Sequence, residues 1–249
     1  MLINSDLCIM CGQCVPYCPM SCIKEGPDSM EIDQDECVEC GICKRNANCP
    51  VGAFVEPELT MPRYVRKAFS DPFGKHKNIK YEHTGRGTEE IKTNDVTGRV
   101  HSLDKVSVAI EMGRPSIGTR FRDVEKITKV VSQFDIQFEP ENPVTPYIID
   151  KKTGQIDPEI LDEKILSCII EFVAKADDLQ KILDAIKKES KNVDTVFSVC
   201  VICRVDENNK SVVEDQIIKN GYQINKASSK TNLGLGRPLY EDRIKGGNS

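Results

Sequence analysis

The 249-residue sequence predicts an α+β protein in three parts. Residues 1–60 read as a small cysteine-rich module, 61–104 as an extended basic arm or linker, and 105–249 as a sandwich of βαββαβ-like order with one added helix and strand. Three observations carry this reading. A cysteine run occurs twice before residue 50, residues 63–104 keep neither a helical nor a strand period, and regular spacing returns at Lys105. The length suits one small module and one ordinary domain.

The first run is Cys8-x2-Cys11-x2-Cys14-x3-Cys18-Pro19, and the second is Cys37-x2-Cys40-x2-Cys43-x5-Cys49-Pro50. Three thiolates at two-residue intervals let one tight loop wrap three corners of a four-iron cube, and the fourth corner must come from elsewhere in the chain. The proline after the last cysteine fixes φ and donates no N–H, so it turns the chain away. Cys8, Cys11 and Cys14 recur 29 residues later, and Cys18-Pro19 recurs 31 residues later as Cys49-Pro50. Paired zinc sites are the alternative, because four-cysteine zinc sites also use C-x2-C pairs. Such sites have no use for a third equally spaced cysteine followed by Cys-Pro.

On these motifs residues 1–57 resemble the bacterial-type dicluster, or 2[4Fe–4S], ferredoxins. In that arrangement the fourth cysteine of each run ligates the other cluster. The resemblance therefore implies two [4Fe–4S] clusters, one held by Cys8, Cys11, Cys14 and Cys49, the other by Cys37, Cys40, Cys43 and Cys18. It also implies short hairpin strands at Leu2-Ile3 and Met30–Asp33, and Gly12 and Gly41 permit close backbone approach to the clusters. Pro19-Met-Ser-Cys22-Ile23 mirrors Pro50-Val-Gly-Ala53-Phe54, which makes Cys22 a small buried residue beside a cluster and not a ligand. The departure from the family pattern is the longer spacer Lys44–Asn48, which enlarges the loop before Cys49.

Charge is divided unevenly. Residues 1–60 carry 3 Lys/Arg against 10 Asp/Glu, whereas residues 61–100 carry 9 against 5. An acidic module steers toward a basic face on a redox partner, or the basic segment folds back over the acidic module; the sequence leaves both open. The pI near 5.4 and the lack of aromatic-interleaved basic patches argue against nucleic acid. The start Met1-Leu-Ile-Asn-Ser-Asp6 has no basic and apolar leader pattern, and no run is apolar enough for a membrane span. A reduced, cytoplasmic setting and an anaerobic pathway are expected.

In the arm, Val65 and Phe69 suit a short helix ending before Pro72, Thr84–Thr88 and Thr93–Gly98 carry turn residues, and His76, His83 and His101 have no metal spacing. Val106–Ile110 alternates as a first strand and stops at Gly113. Phe121, Val124, Ile127, Val130 and Val131 give a helix with Thr119 as N-cap. Phe134–Phe138 is a second strand and Ile165–Val173 a third. Leu179, Ile182, Leu183 and Ile186 form the face of a helix capped by Asp177, and Asp194–Val205 is the fourth strand. This is the element order of the βαββαβ sandwich. Ser211-x-x-Glu214 opens a further helix that stops at Gly221, and Tyr222–Lys226 is the added strand.

Two constellations in the larger part call for weighing. Cys200-x2-Cys203 has redox or metal spacing, but residues three apart on a strand face opposite sides; with Cys168, they read as core. Gly113-Arg-Pro-Ser-Ile-Gly118 has the glycine spacing of a phosphate loop without its lysine, so nucleotide hydrolysis is unsupported. Arg114, Arg120 and Arg122 near a helix start remain a candidate site for an anionic small molecule, with Gly236-Arg237-Pro238 as a second such turn. No Ser-His-Asp set or paired carboxylates stand out. The sequence thus points to an electron-transfer protein or subunit that relays single electrons to or from an oxidoreductase and is docked by its C-terminal domain. The alternatives are an iron–sulfur enzyme and an effector-binding redox regulator.

Overall fold

The computed structural model describes residues 1–73, 100, 102–140 and 142–225. The turn segments at 84–88 and 93–98, the three histidines and the Gly236-Arg237-Pro238 turn lie outside the described residues.

Four short strands build the N-terminal module: β1 (Leu2–Ile3), β2 (Ile23–Glu25), β3 (Met30–Ile32) and β4 (Phe54–Val55). Antiparallel pairing of β1 with β4 sets Ile3 opposite Phe54 and closes the two ends of the module on each other. Strands β2 and β3 form a hairpin between the two cysteine runs. A single turn of helix, α1 (Ile42–Asn46), follows Gly41, while the matching place in the first half is a 3-10 turn at Val15–Tyr17. The two extra residues before Cys49 are thus absorbed by widening a 3-10 turn into an α-helical one. Asn48, at φ 46, then turns the chain back toward the site.

The larger part begins with α2 (Tyr64–Ser70) and a long strand β5 (Lys105–Met112). It continues through β6 (Thr119–Arg120), α3 (Phe121–Val131), β7 (Gln137–Phe138), β8 (Ile148–Asp150), β9 (Gln155–Ile156), β10 (Lys164–Ile165), β11 (Cys168–Lys175), α4 (Leu179–Glu189), β12 (Phe197–Cys203) and α5 (Glu214–Lys219). The main sheet has the order β12-β5-β11-β7 with antiparallel pairs throughout. Alternation along the strands decides its faces. Val106, Val108, Ile110 and Met112 of β5 join Ile170, Phe172 and Ala174 of β11 in one buried cluster. The apolar stripes of α3 (Phe121, Val124, Ile127, Val131) and α4 (Leu179, Ile182, Leu183, Ile186) close over it. Val65, Ala68 and Phe69 of α2 enter the same core, where the Phe69 ring meets Phe121 edge-on at 5.4 Å.

Five local expectations are corrected. The third strand is broken: Leu166 donates to Ser70 Oγ at 2.9 Å, and β10 leaves the main sheet to pair with β6. The second strand starts only at Gln137, because Phe134 and Ile136 are held in a turn after α3. Neither Thr119 nor Asp177 caps a helix. Thr119 lies in β6, and Asp177 lies in a 3-10 turn ahead of α4. The first N–H groups of α3 are satisfied by backbone instead, Phe121 donating to the Glu163 carbonyl at 3.2 Å and Arg122 to that of Leu161 at 2.8 Å. The added strand does not form over Tyr222–Asn225. Tyr222 donates its hydroxyl to Asp184 at 2.7 Å and lies under Lys187, so the chain after α5 is pinned to α4 and not to a sheet edge. Ser211 does accept from the Glu214 N–H, at 3.2 Å.

Gly154 shows how tightly the β8–β9 hairpin sits on α3. At φ 75 it accepts from Thr128 Oγ1 at 2.6 Å, and a Cβ there would fall 2.2 Å from the Thr128 carbonyl oxygen. No side chain fits, so glycine is required. Among the described residues no helix is long and apolar enough to cross a membrane.

The two parts meet along the acidic loop that leads into Cys37, where Arg63, Arg66, Arg120 and Lys164 contact the module. Arg66, 5% exposed, donates from Nη1 to the carbonyls of Gln34 (3.0 Å), Asp35 (2.8 Å) and Cys37 (3.0 Å), and pairs with Glu163. Arg63 binds the Gln34 carbonyl and the buried Glu39 carboxylate, which also takes the Met1 amino group. Arg120 reaches Asp35 at 2.8 Å and Glu36 at 2.9 Å, and Lys164 adds a second contact to Glu36. The guanidinium of Arg120 holds the Asp35 carboxyl below its ordinary range, and Lys67, with Lys44, pulls Glu56 down to about 2. Replacing Arg66 by Ala would take the side-chain donor from the Asp35 and Cys37 carbonyls and the Glu163 carboxylate at a closed junction, while the Gln34 carbonyl keeps Arg63. Breaking a buried pair in this way costs about 3 kcal/mol or more. Arg66→Ala should lower the denaturation midpoint of the anaerobically prepared protein accordingly, and Arg66→Lys, a point charge in place of a fork, should recover less than half of the loss.

Candidate iron–sulfur centre

Two hollows open in the N-terminal module. Cys8, Cys11, Cys14 and Cys49 line the first, together with Ile9, Met30 and Phe54. Cys18, Cys37, Cys40 and Cys43 line the second, together with Cys22, Met1 and Met20. The structure therefore brings the eight cysteines of the two runs into two sets of four. Each set draws its fourth member from the Cys-Pro end of the opposite run. The antiparallel closure of β1 on β4 makes this crossing possible, because it lays the end of the second run beside the start of the first.

The repeat in sequence is also a repeat in backbone. Met10 (φ 55) and Gly12 (φ 69) are left-handed in the first loop, and Glu39 (φ 57) and Gly41 (φ 68) occupy the same places in the second. Three residues after each Cys-Pro cysteine, Ser21 (φ 51) and Gly52 (φ 61) match again. Left-handed residues interspersed in a tight loop turn successive N–H groups to its inner side. Three N–H groups reach sulfur at 3.4 Å: Met30 of the β2–β3 hairpin to Cys8, and Cys22 and Ala53 of the turns after Cys-Pro to Cys18 and Cys49. The last two donors stand four residues after their acceptors, one in each half.

The two sets differ in environment. Cys37, Cys40 and Cys43 are buried and Cys11 is exposed. Burial pushes the Cys40 thiol up to about 11 and the Cys43 thiol up to about 12, and it raises Cys14 as well. The Cys22 sulfur lies 3.3 Å from Cys18, and its hydrogen bonds draw Cys18 down to about 6 and Cys37 down to about 7 while raising Cys22 itself. The Ala53 N–H lowers Cys49. Cys22 is thus a hydrogen-bonding neighbour of the second set as well as a small buried residue.

These features fit an iron–sulfur group. Each hollow offers four thiols with N–H donors at sulfur, and no Lys or Arg side chain lies in either lining to compete for the thiolates. Among the described residues no three His, Cys, Asp or Glu side chains converge tightly enough for a single metal ion. The thiols surround a volume and not a point.

The remaining sequence candidates are dispersed. Cys203 lies on the core face of β12 with Val199 and Val201 and contacts Ser211 Oγ at 3.2 Å, while Cys200, an odd number of residues away, faces the other side. Cys168 is buried in the core, which drives its thiol up to about 12. The three arginines do not converge on a ligand site. Arg114 is held by Glu111 and Ser167, Arg122 by Asp162, and Arg120 by the acidic loop of the module, while backbone carbonyls occupy the N–H groups at the start of α3. Arg63 and Arg66, which secure the loop of the second set, escaped sequence reasoning. Only a basic bias marked them, and nothing local tells a clamp from a solvated charge.

Residues 1–24 match the family model of the 4Fe-4S binding domain. Across 58 residues the chain is 40% identical to Ferredoxin-1 of Caulobacter vibrioides, a span of 22% of this chain and 49% of that protein. It is 52% identical over 48 residues to Ferredoxin 7Fe of Hydrogenibacillus schlegelii, covering 19% and 59%. It is 39% identical over 66 residues to a Ferredoxin of Rickettsia felis, covering 26% and 59%. The chain thus spans between about half and three-fifths of the length of these curated relatives. The N-terminal region of this chain is a 4Fe-4S domain whose homologues are ferredoxins.

Proposed function

We propose that this protein is an iron–sulfur electron carrier, or the carrier subunit of an oxidoreductase, with two [4Fe–4S] clusters in the module 1–60. Cys8, Cys11, Cys14 and Cys49 hold one, and Cys18, Cys37, Cys40 and Cys43 hold the other. When bound, such a cluster takes up and releases one electron at a time. The chain's part is to hold the thiolates, to aim N–H groups at sulfur, and to keep water from the inner set, all of which set the potential. The arm over 61–104 and the domain over 105–249 supply most of the surface by which a specific oxidoreductase is docked. The observation that carries the reading is the sorting of eight cysteines into two hollows, each with one cysteine from the opposite run.

Protein purified without oxygen should contain about eight iron and eight acid-labile sulfide per chain and negligible zinc, as two four-iron sites require. Four iron per chain would refute the two-cluster reading. Because the fourth ligands cross, Cys18→Ala should perturb the spectrum of the cluster held by Cys37, Cys40 and Cys43 and leave the other intact. The reverse result would show that ligation does not cross. Cys22→Ala should keep the full iron content, since it removes a hydrogen-bond donor and not a ligand.

A further inference from the structure

We infer that two copies of this chain associate through β12, the edge strand of the main sheet. Each β12 pairs antiparallel with that of the second copy about a two-fold axis at Val199. This contact lies outside the N-terminal module and its proposed clusters.

Pairing on one side of β12 fixes what its other side offers. Gly113 donates to the Val196 carbonyl at 2.9 Å, and the register with β5 runs unbroken from Phe197 opposite Met112 to Cys203 opposite Val106. In an antiparallel ladder hydrogen-bonded and non-bonded pairs alternate. The N–H and C=O groups of Ser198, Cys200 and Ile202 therefore point to β5, and those of Phe197, Val199, Val201 and Cys203 point outward. No described strand pairs with that outer side, since β12 ends the order β12-β5-β11-β7. Proteins blunt such edges with Lys, Pro, a bulge or shortness. β12 has none of these, being seven residues without charge or proline, whereas β7 at the opposite edge has two residues. Val199 and Val201 face the core yet are only half-buried, while Ile110 and Val108, their neighbours on β5, are fully buried. The core is unfinished along this edge.

Two features select a second copy and set its register. Val205 is already bridged to Ser211, so the free edge stops at Cys203, while the bond between Gly113 and Val196 carries it back to Thr195. The longest two-fold ladder over 195–203 places Val199 opposite Val199 of the second copy. Val196 then meets Ile202, apolar against apolar, and Asp194 meets Arg204 across the axis. With Cys200 at the axis, Asp194 would instead oppose Asp206, and Thr195 would run into the bridged Val205. Opposite charges across a ladder stabilise it and like charges destabilise it. The surface is self-complementary, as a two-fold interface requires, and each contact occurs twice.

Sedimentation velocity on the full-length protein, purified without oxygen and run over a dilution series, provides the test. Iron content and circular dichroism are recorded for every preparation. The wild type should approach twice the mass of the chain as concentration rises. Val199→Pro removes an outward N–H and leaves the ladder to β5 intact, and it should raise the dimer dissociation constant at least about tenfold. If that variant loses secondary structure, Ser198→Lys takes its place, setting a positive charge on each side of the axis from an exposed position. Asp194→Arg should weaken the dimer about fivefold, and adding Arg204→Asp should restore it. Ile149→Lys, exposed on the β8–β9 hairpin, should stay within about twofold of the wild type. A wild type that stays monomeric, or a dimer that the edge variant leaves intact or that Ile149→Lys weakens equally, overturns the proposal. So does a dimer that Asp194→Arg strengthens, or one that the charge exchange fails to restore.

Discussion

The junction of Arg66 with the loop before Cys37 is the contact on which the arrangement depends. A loop that turns its N–H groups inward toward sulfur must turn carbonyls outward, and outward carbonyls need donors once they are buried. Gln34, Asp35 and Cys37 have that problem, and one guanidinium answers all three at 2.8 to 3.0 Å. The two N–H of Arg66 Nη1 are shared among these carbonyls, Arg63 adds a second donor to Gln34, and Arg66 Nε pairs with Glu163 across the junction. Arg63, Arg120 and Lys164 add charge pairing beside it, to Glu39, Asp35 and Glu36.

That junction separates two halves that are nearly equivalent in sequence. Left-handed residues fall at matching places in both loops, and each Cys-Pro cysteine accepts an N–H from the residue four positions on. The surroundings break the symmetry. One set draws three buried cysteines from the loop held by Arg63 and Arg66, and the other includes the exposed Cys11. Lower solvent access shifts the balance between charged and neutral sulfur, as the raised Cys40 and Cys43 thiols show. Potentials of iron–sulfur groups respond to the same two factors, hydrogen bonds to sulfur and exposure. Two sites with the same ligands are therefore expected to differ electronically.

The larger domain contributes rigidity where the sequence suggested ligand chemistry. Arg120 is committed to the module, and the first two N–H groups of α3 meet the carbonyls of Glu163 and Leu161. Helix α2 belongs to the hydrophobic core of this domain through Val65, Ala68 and Phe69, and its polar side carries Arg63 and Arg66 into the module. One short helix thus couples the core of the domain to the loop of the inner cysteines.

Much of this was readable from residue order alone. The eight cysteines and their division into two repeats follow from spacing, because a tight loop can place only near neighbours around one centre. Helices α3 and α4 and strands β5, β11 and β12 follow from periodicity, because each buries one face. What the sequence did not contain were the features that depend on contacts between distant segments. The break at Leu166–Ser167 arises because Ser70, nearly a hundred residues earlier, offers its oxygen to that N–H. The strand expected at Tyr222 is absent because its hydroxyl finds Asp184 on α4. The roles of Arg63, Arg66 and Arg120 were hidden for the same reason. A basic side chain looks alike in sequence whether it faces water, an anion or a carbonyl cage, and only the folded chain decides which of these it meets.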